Sequence, residues 1–493
     1  MSNGALPSYL SMAKPNPPTN RAAWYKNTAP TYAGIFLWFV FWSQAPSGGS
    51  GLPGGVLSQG IGAALLGLVI AALLCHYLFY LVPGLFGLKT GLPLYVVGTS
   101  TYGTQGGFLM PGFLMGVLQF GWLGVNTYFS SLAILSIDPG SLAGKNVPFL
   151  AIIVMIVYGA LAAFLGLKGI QYVARVATYL PLIPIAVLVV MFFATVGGLN
   201  TFEPKVLAAT QIGFNTAPPA PAFSGFALFA FIVTYVVGFF ATAGAAGVDF
   251  GTNSRDERDV HMGGFVGIAL ATMFTAGLAM LIVAGAYGKA NVVAQAQQLA
   301  TDAATNAQAA AVKAGQTDAL LTKALPMTAY ELIPAVLGAG TGKIIWILLA
   351  IAAFPAACFS SFIAANSFKT TLSKVNPFIS VGIGAIVSIL LAVTKLAGRV
   401  SGVFGLIGAS FGPICGAMAV DYMLNGCKWA GPRKGFNPAG WLAWAFGFAV
   451  GIMPNLGLDL PLAPVWAMVV GAVVYYLAAK AGLQAPQETE AAA

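Results

Sequence analysis

The sequence predicts an all-α polytopic membrane protein of twelve transmembrane helices, and three observations carry the prediction. Of 493 residues, 58% are hydrophobic and 7% charged, against about 25% charged in soluble domains. Between Asn27 and Ile137 the only Asp, Glu, Lys or Arg is Lys89. Apolar runs long enough to cross a hydrocarbon core recur from residue 32 to residue 480. Water could not solvate such a surface.

In chain order the spans are read at roughly 32–55, 57–84, 108–136, 148–167, 171–197, 223–248, 260–287, 343–366, 376–395, 400–424, 438–456 and 461–480. An even number places both termini on one side. Counting Lys and Arg puts Lys14, Arg21, Lys26, Lys89, Lys168, Arg175, Arg255, Arg258, Lys369, Lys374, Lys428, Arg433, Lys434 and Lys480, 14 of the 22, on or near the N-terminal side, which makes that side cytoplasmic. The net charge of +9 follows from this bias and gives no concentrated patch for nucleic acid. Cys75, Cys358, Cys415 and Cys427 lie in or beside apolar runs without metal-like spacing, which points to neither disulfides nor zinc. With two histidines and few carboxylates in the spans, a membrane-embedded enzyme is a remote alternative.

The first span reads as a membrane helix from Tyr32 to Ser43 and then meets Gln44, Pro46 and a Gly/Ser run. Pro46 removes a backbone donor, and Gly48, Gly49 and Gly51 each weaken a helix by about 1 kcal/mol relative to Ala. Irregular backbone survives at bilayer depth only where protein buries it or it lines a cavity. A second soft point, Gly238–Gly251, follows five spans later. Two interrupted helices at equivalent places in two halves point to an inverted-repeat transporter with a midplane site.

The predicted organisation is a cytoplasmic tail (1–30), a first five-helix repeat (31–200), a second repeat (201–425), two further helices (426–482) and a tail (483–493). The external loop 288–342 reads as a surface helix, AQAQQLATDAATNAQAAAVKA, followed by a returning segment, TAYELIPAVLGAG.

Three stretches carry a family signature. The third span reads LQFGWLGVNTYFSS, with Gln119, Trp122 and Asn126 on one face. The eighth reads FPAACFSSFIAANS, and the tenth reads FGLIGASFGPICGAMAVDYML, ending in Asp421-Tyr422. With Gly87-Leu88-Lys89-Thr90-Gly91-Leu92 after the second span, these resemble the nucleobase–cation symporter family 1, whose members carry cytosine, purines, uracil, allantoin or hydantoins. The resemblance covers roughly 30–482 and is greatest to the cytosine permeases.

It implies the LeuT-type fold, two inverted five-helix repeats plus two C-terminal helices. It also implies a sodium site formed by the carbonyls of Val40, Ser43 and Ala357 with the hydroxyls of Ser360 and Ser361. By itself, the serine pair also suits hydroxyls bonding one turn back. The implied substrate site is Gln44, Gln119, Trp122, Asn126, Phe240, Ala243 and Asn366. Aromatic faces and uncharged amides match a planar heterocycle, and Trp122 and Phe240 are expected to sandwich it. The sequence departs from relatives after Asp249-Phe250, where Gly-Thr-Asn-Ser precedes Arg255. His76 and His261 are given no role.

The implied activity is secondary active import of a nucleobase or related heterocycle by sodium symport, in a monomer without a cofactor. A proton-coupled permease for a purine, allantoin or vitamin-like substrate is the alternative.

Overall fold

The computed structural model describes residues 7–11, 13–28, 55–137, 139–142, 145–168, 179–180, 182–209, 225–295, 297–298, 302, 305, 329–372 and 374–488. The first predicted span lies outside the described residues, as does the start of the fifth. Among the described residues no strand forms, and nine helices are long and apolar enough to cross a membrane.

The helices are α1 (Ile61–Thr90), the short α2 (Leu94–Val97) and α3 (Thr99–Tyr102), then α4 (Phe108–Ile134), α5 (Phe149–Lys168) and α6 (Leu182–Thr201). The second half begins with α7 (Gly225–Ala245), the short α8 (Gly247–Gly251) and α9 (Glu257–Tyr287). It continues through α10 (Ala329–Leu337), α11 (Ala339–Thr371), α12 (Pro377–Val393), α13 (Val400–Leu424), α14 (Pro438–Gly451) and α15 (Ala463–Lys480). α12 and α14 are the shorter apolar helices, at 17 and 14 residues.

Three helix groups form. Helices α1, α7 and α9 pack together; α4, α5, α11 and α12 make a second group; α13, α14 and α15 make a third. Small residues set the closest approaches. A methyl group at Gly87 would stand 1.9 Å from the Val248 carbonyl oxygen, and one at Gly251 would stand 2.0 Å from that of Gly84. Without side chains at these positions α8 lies directly on the end of α1, the close packing small residues permit in membranes.

Several local expectations shift. The Gly87–Thr90 motif forms the last turn of α1 rather than a loop, and Gly91 terminates it in the left-handed conformation (φ +67°). The soft point in the sixth span narrows to Ala246, because Gly238–Ala245 stay helical inside α7. Helix α11 runs five residues past the predicted end of its span, to Thr371.

The N-terminal segment, the ends of α1 and α13, the α8–α9 connection and residues 484–488 share one face of the molecule. Asn16 bonds residues 91, 252 and 253, Ala485 N donates to Asn437 Oδ1 at 2.9 Å, and Lys89 Nζ donates to the Cys427 carbonyl at 3.2 Å. The described N-terminal segment and residues 484–488 therefore lie on the same face.

Candidate functional site

Helix α4 is the wall of the candidate site. Its buried Thr127 faces α5 at Gly159, and its Phe120 carbonyl accepts from Ser388 Oγ of α12 at 2.8 Å. On another side of α4, Trp122 reaches the other two helix groups. Trp122 meets Phe239 of α7 edge-on, with centroids 4.9 Å apart and planes at 77°, and Phe404 of α13 at 5.4 Å and 38°. Phe239 and Phe404 touch at 5.2 Å, and Tyr235 adds a fourth ring 5.0 Å from Phe404. Such tilted pairs add about 0.5–1.5 kcal/mol beyond area burial. The four rings make one box where three helices from three groups meet.

The ring that meets Trp122 is Phe239 rather than Phe240. Phe240 is 2% exposed and packs behind, 5.2 Å from Phe239. Trp122 therefore touches Phe239 and not Phe240, because consecutive residues on a helix point about 100° apart. Ala243, on the same helix, is half-buried. Sequence reasoning missed Phe239, Tyr235 and Phe404. The i, i+4 pair Tyr235–Phe239 was a visible signal on α7, whereas nothing local marked Phe404.

Gln119 and Asn126 share α4 with Trp122, and Asn366 lies on α11. Gln119, 7% exposed, donates from Nε2 to Met115 Sδ at 3.5 Å, a weak acceptor for a buried amide. Asn126 Nδ2 donates to the Trp122 carbonyl one turn back at 3.1 Å. Asn366 is exposed on α11, next to Ser367, whose hydroxyl donates to the Gly112 carbonyl of α4 at 2.5 Å. Gln44 lies outside the described residues.

On α11, Ala357, Ser360 and Ser361 are all buried. Ser361 Oγ donates to the Ala357 carbonyl at a long 3.4 Å, so a hydroxyl and a carbonyl assigned to sodium touch each other. Gly166 of α5 admits this face of α11 at close range; a methyl group there would meet Ser361 Cβ at 2.8 Å. Val40 and Ser43 lie outside the described residues. Hydroxyl and carbonyl oxygens are the hard ligands a small cation takes, and α11 holds three of the five assigned residues on one face.

Two further polar features belong to the face that carries both termini. Asp249 accepts from the Leu94 N–H at 3.0 Å, tying α8 to α2. Surrounding protein pushes its carboxyl up to about 6, an effect the Leu94 bond opposes, although solvent reaches the side chain. Asp421 of α13 is 1% exposed and takes Arg433 Nη1 at 2.9 Å, the Tyr475 hydroxyl at 2.7 Å and the Ser100 hydroxyl at 2.7 Å. The sequence marked Asp421 only as the end of a motif; the structure makes it the centre of a bolt joining α3, α13, the α13–α14 loop and α15. His76 and His261, far apart in sequence, bring their rings to 6.4 Å.

This chain is similar over its whole length to MHP1, a nucleobase-cation-symport-1 family transporter solved in a closed conformation with bromovinylhydantoin bound. The TM-score is 0.60 at 17% identity, covering 96% of this chain and 97% of that one. The inward facing conformation of Mhp1 aligns with a TM-score of 0.55 at 17% identity, covering 95% of each chain. It is a LeuT-type fold. No family model and no curated protein matches the chain by sequence.

Proposed function

We propose that the protein belongs to the nucleobase–cation symport 1 family and imports a planar heterocycle, a cytosine-like pyrimidine, a purine or a related ring, together with sodium. The observation that carries this reading is the aromatic box around Trp122, where the three helix groups meet, with the buried Gln119 on the same helix. The heterocycle stacks on Trp122 and exchanges hydrogen bonds with Gln119, Asn126, Asn366 and Gln44. A ring lacking a matching donor or acceptor leaves a buried amide unpaired, at a cost of about 1–3 kcal/mol. Phe240 and Ala243 shape the pocket from behind Phe239.

Sodium sits between the first helix and α11, held by Val40, Ser43, Ala357, Ser360 and Ser361. On binding, Ser361 gives up its long bond to the Ala357 carbonyl, and both oxygens turn to the ion. With the face carrying the termini in the cytoplasm, one cation moving inward down about 100 mV supplies roughly 2.3 kcal/mol. A tenfold sodium gradient adds about 1.4 kcal/mol. Together these sustain several-hundred-fold accumulation of a neutral ring, so one ion is enough. Relative movement of the helix groups, which meet at the box, exposes the site to one side and then the other.

One observation favours a proton-coupled alternative: burial pushes the Asp249 carboxyl up to about 6, and solvent reaches it on the same face. Uptake that ignores sodium and collapses with the pH gradient establishes that alternative.

The test is a thermal-shift screen of purified protein against nucleobases, allantoin and hydantoins, with and without sodium. Saturation at a hundred times the dissociation constant stabilises the native state by about 2.7 kcal/mol. The expected result is a sodium-dependent shift with at least one planar ring, lost in Trp122→Ala. A normal shift in that variant refutes the placement of the pocket.

A further inference from the structure

The N-terminal segment does more than lead into the first helix. Residues 16–28 are fastened to the α1/α7/α9 group. Asn16 N donates to the Gly91 carbonyl at 2.9 Å, and Asn16 Nδ2 donates to the Thr252 carbonyl at 2.9 Å and to Asn253 Oδ1 at 3.0 Å. Arg21 Nη1 donates to the Leu88 carbonyl at 3.0 Å, and Ala22 N to the Asn253 carbonyl at 2.8 Å. Trp24 N donates to Asp259 Oδ1 at 3.2 Å, and Asn27 Nδ2 to the Phe250 carbonyl at 3.1 Å.

The other end of the segment is fastened elsewhere. The Tyr9 hydroxyl donates to the Thr104 carbonyl, and its ring lies 5.7 Å from Phe108 at the start of α4 and 6.3 Å from Tyr95 of α2. Burial pushes the Tyr9 phenol above its ordinary value, which keeps it a neutral donor. Thr104 is itself fixed to the third helix group, because its N–H donates to the Arg433 carbonyl at 2.7 Å and its hydroxyl accepts from Gly435 N at 3.0 Å. The segment therefore spans the seam between the α1/α7/α9 group and the frame formed by the start of α4 and the α13–α14 loop. The Asp249–Leu94 bond reaches from α8 to α2 beside the same seam.

We propose that residues 9–28 are a latch across this seam, and that the face carrying the termini opens towards the central site only when Tyr9 leaves its place on Thr104 and Phe108. The inference rests on the alternating-access reading above and adds the element that holds one of its states.

The test is amide hydrogen exchange of the full-length protein in nanodiscs, which needs no substrate. Tyr9→Ala removes the hydroxyl and both ring contacts, and Tyr9→Phe removes the hydroxyl alone. The expected result for Tyr9→Ala is a rise in exchange of about two- to tenfold at residues 13–28, at 88–108 and at 249–259, with 438–480 unchanged. Tyr9→Phe gives a smaller rise at the same places, and it decides the matter if the alanine variant does not fold. A rise confined to residues 7–16 refutes the latch, since the segment is then a passive tail. A rise that includes 438–480 also refutes it, since the variant has then loosened the whole molecule. If exchange spreads across the seam while no heterocycle binds the wild-type protein, the latch stands and the assigned cargo falls.

Discussion

Replacing Arg433 by Met isolates the bolt on the face that carries the termini. Arg433 is 3% exposed and Asp421 1% exposed, and the guanidinium meets the carboxylate at 2.9 Å. Removing one partner of a buried pair costs about 3–5 kcal/mol, because the remaining charge stays away from water. Here Asp421 keeps neutral donors, Tyr475 and Ser100 at 2.7 Å and Asn425 Nδ2 at 3.1 Å, which places the cost at the lower end, about 3 kcal/mol. Asp421→Asn has a similar effect by leaving the guanidinium buried without its carboxylate. In a double-mutant cycle read by denaturant unfolding in mixed micelles, the double variant is expected to lose less than the sum, by at least about 1 kcal/mol. Tyr475→Phe, which deletes a hydrogen bond to a charged group, is expected to cost about 1.5–3 kcal/mol. Additivity of the Arg433 and Asp421 changes to within about 0.5 kcal/mol refutes the reasoning, since neighbours in one network must couple.

Other predictions follow from single contacts. Ser361→Ala is expected to raise the sodium concentration needed for half-maximal binding while leaving the order of preference among heterocycles unchanged; a titration by thermal shift checks both. Asp249 has a native carboxyl pKa above its ordinary value, so its contribution favours folding at low pH and is lost as pH rises from about 4 to about 6. The slope is shallow because solvent reaches the group, and Asp249→Asn is expected to flatten it in melting curves taken between those pH values. Gly87→Ala places a methyl group 1.9 Å from a backbone oxygen, so the end of α1 must separate from α8; a clear loss of thermal stability is expected, whereas Gly62→Ala, with open space around it, is expected to be neutral.

The aromatic box shows how local and tertiary information divide at the site. The helical spacing of Gln119, Trp122 and Asn126 already put them on one face, because 3.6 residues per turn is a local property. Which ring of α7 they meet depends on the rotation of α7 about its own axis. That rotation is set by Gly238 lying against the Phe404 carbonyl, so Phe239 comes forward and Phe240 turns into the core.

The sequence by itself determined that this chain is a membrane protein and where nearly every described helix lies, because hydrocarbon enforces long apolar runs with internally bonded backbones. The second soft point it marked, Gly238–Gly251, narrows in the structure to Ala246. Only the tertiary structure decided that His76 lies beside His261, that Arg433 closes on Asp421 and Tyr475, and that Tyr9 reaches Thr104. Those partners are separated in the chain and carry no shared periodicity. Their meeting depends on how three helix groups pack against one another, and small residues at the crossings, such as Gly87 against Val248 and Gly238 against Phe404, set that packing.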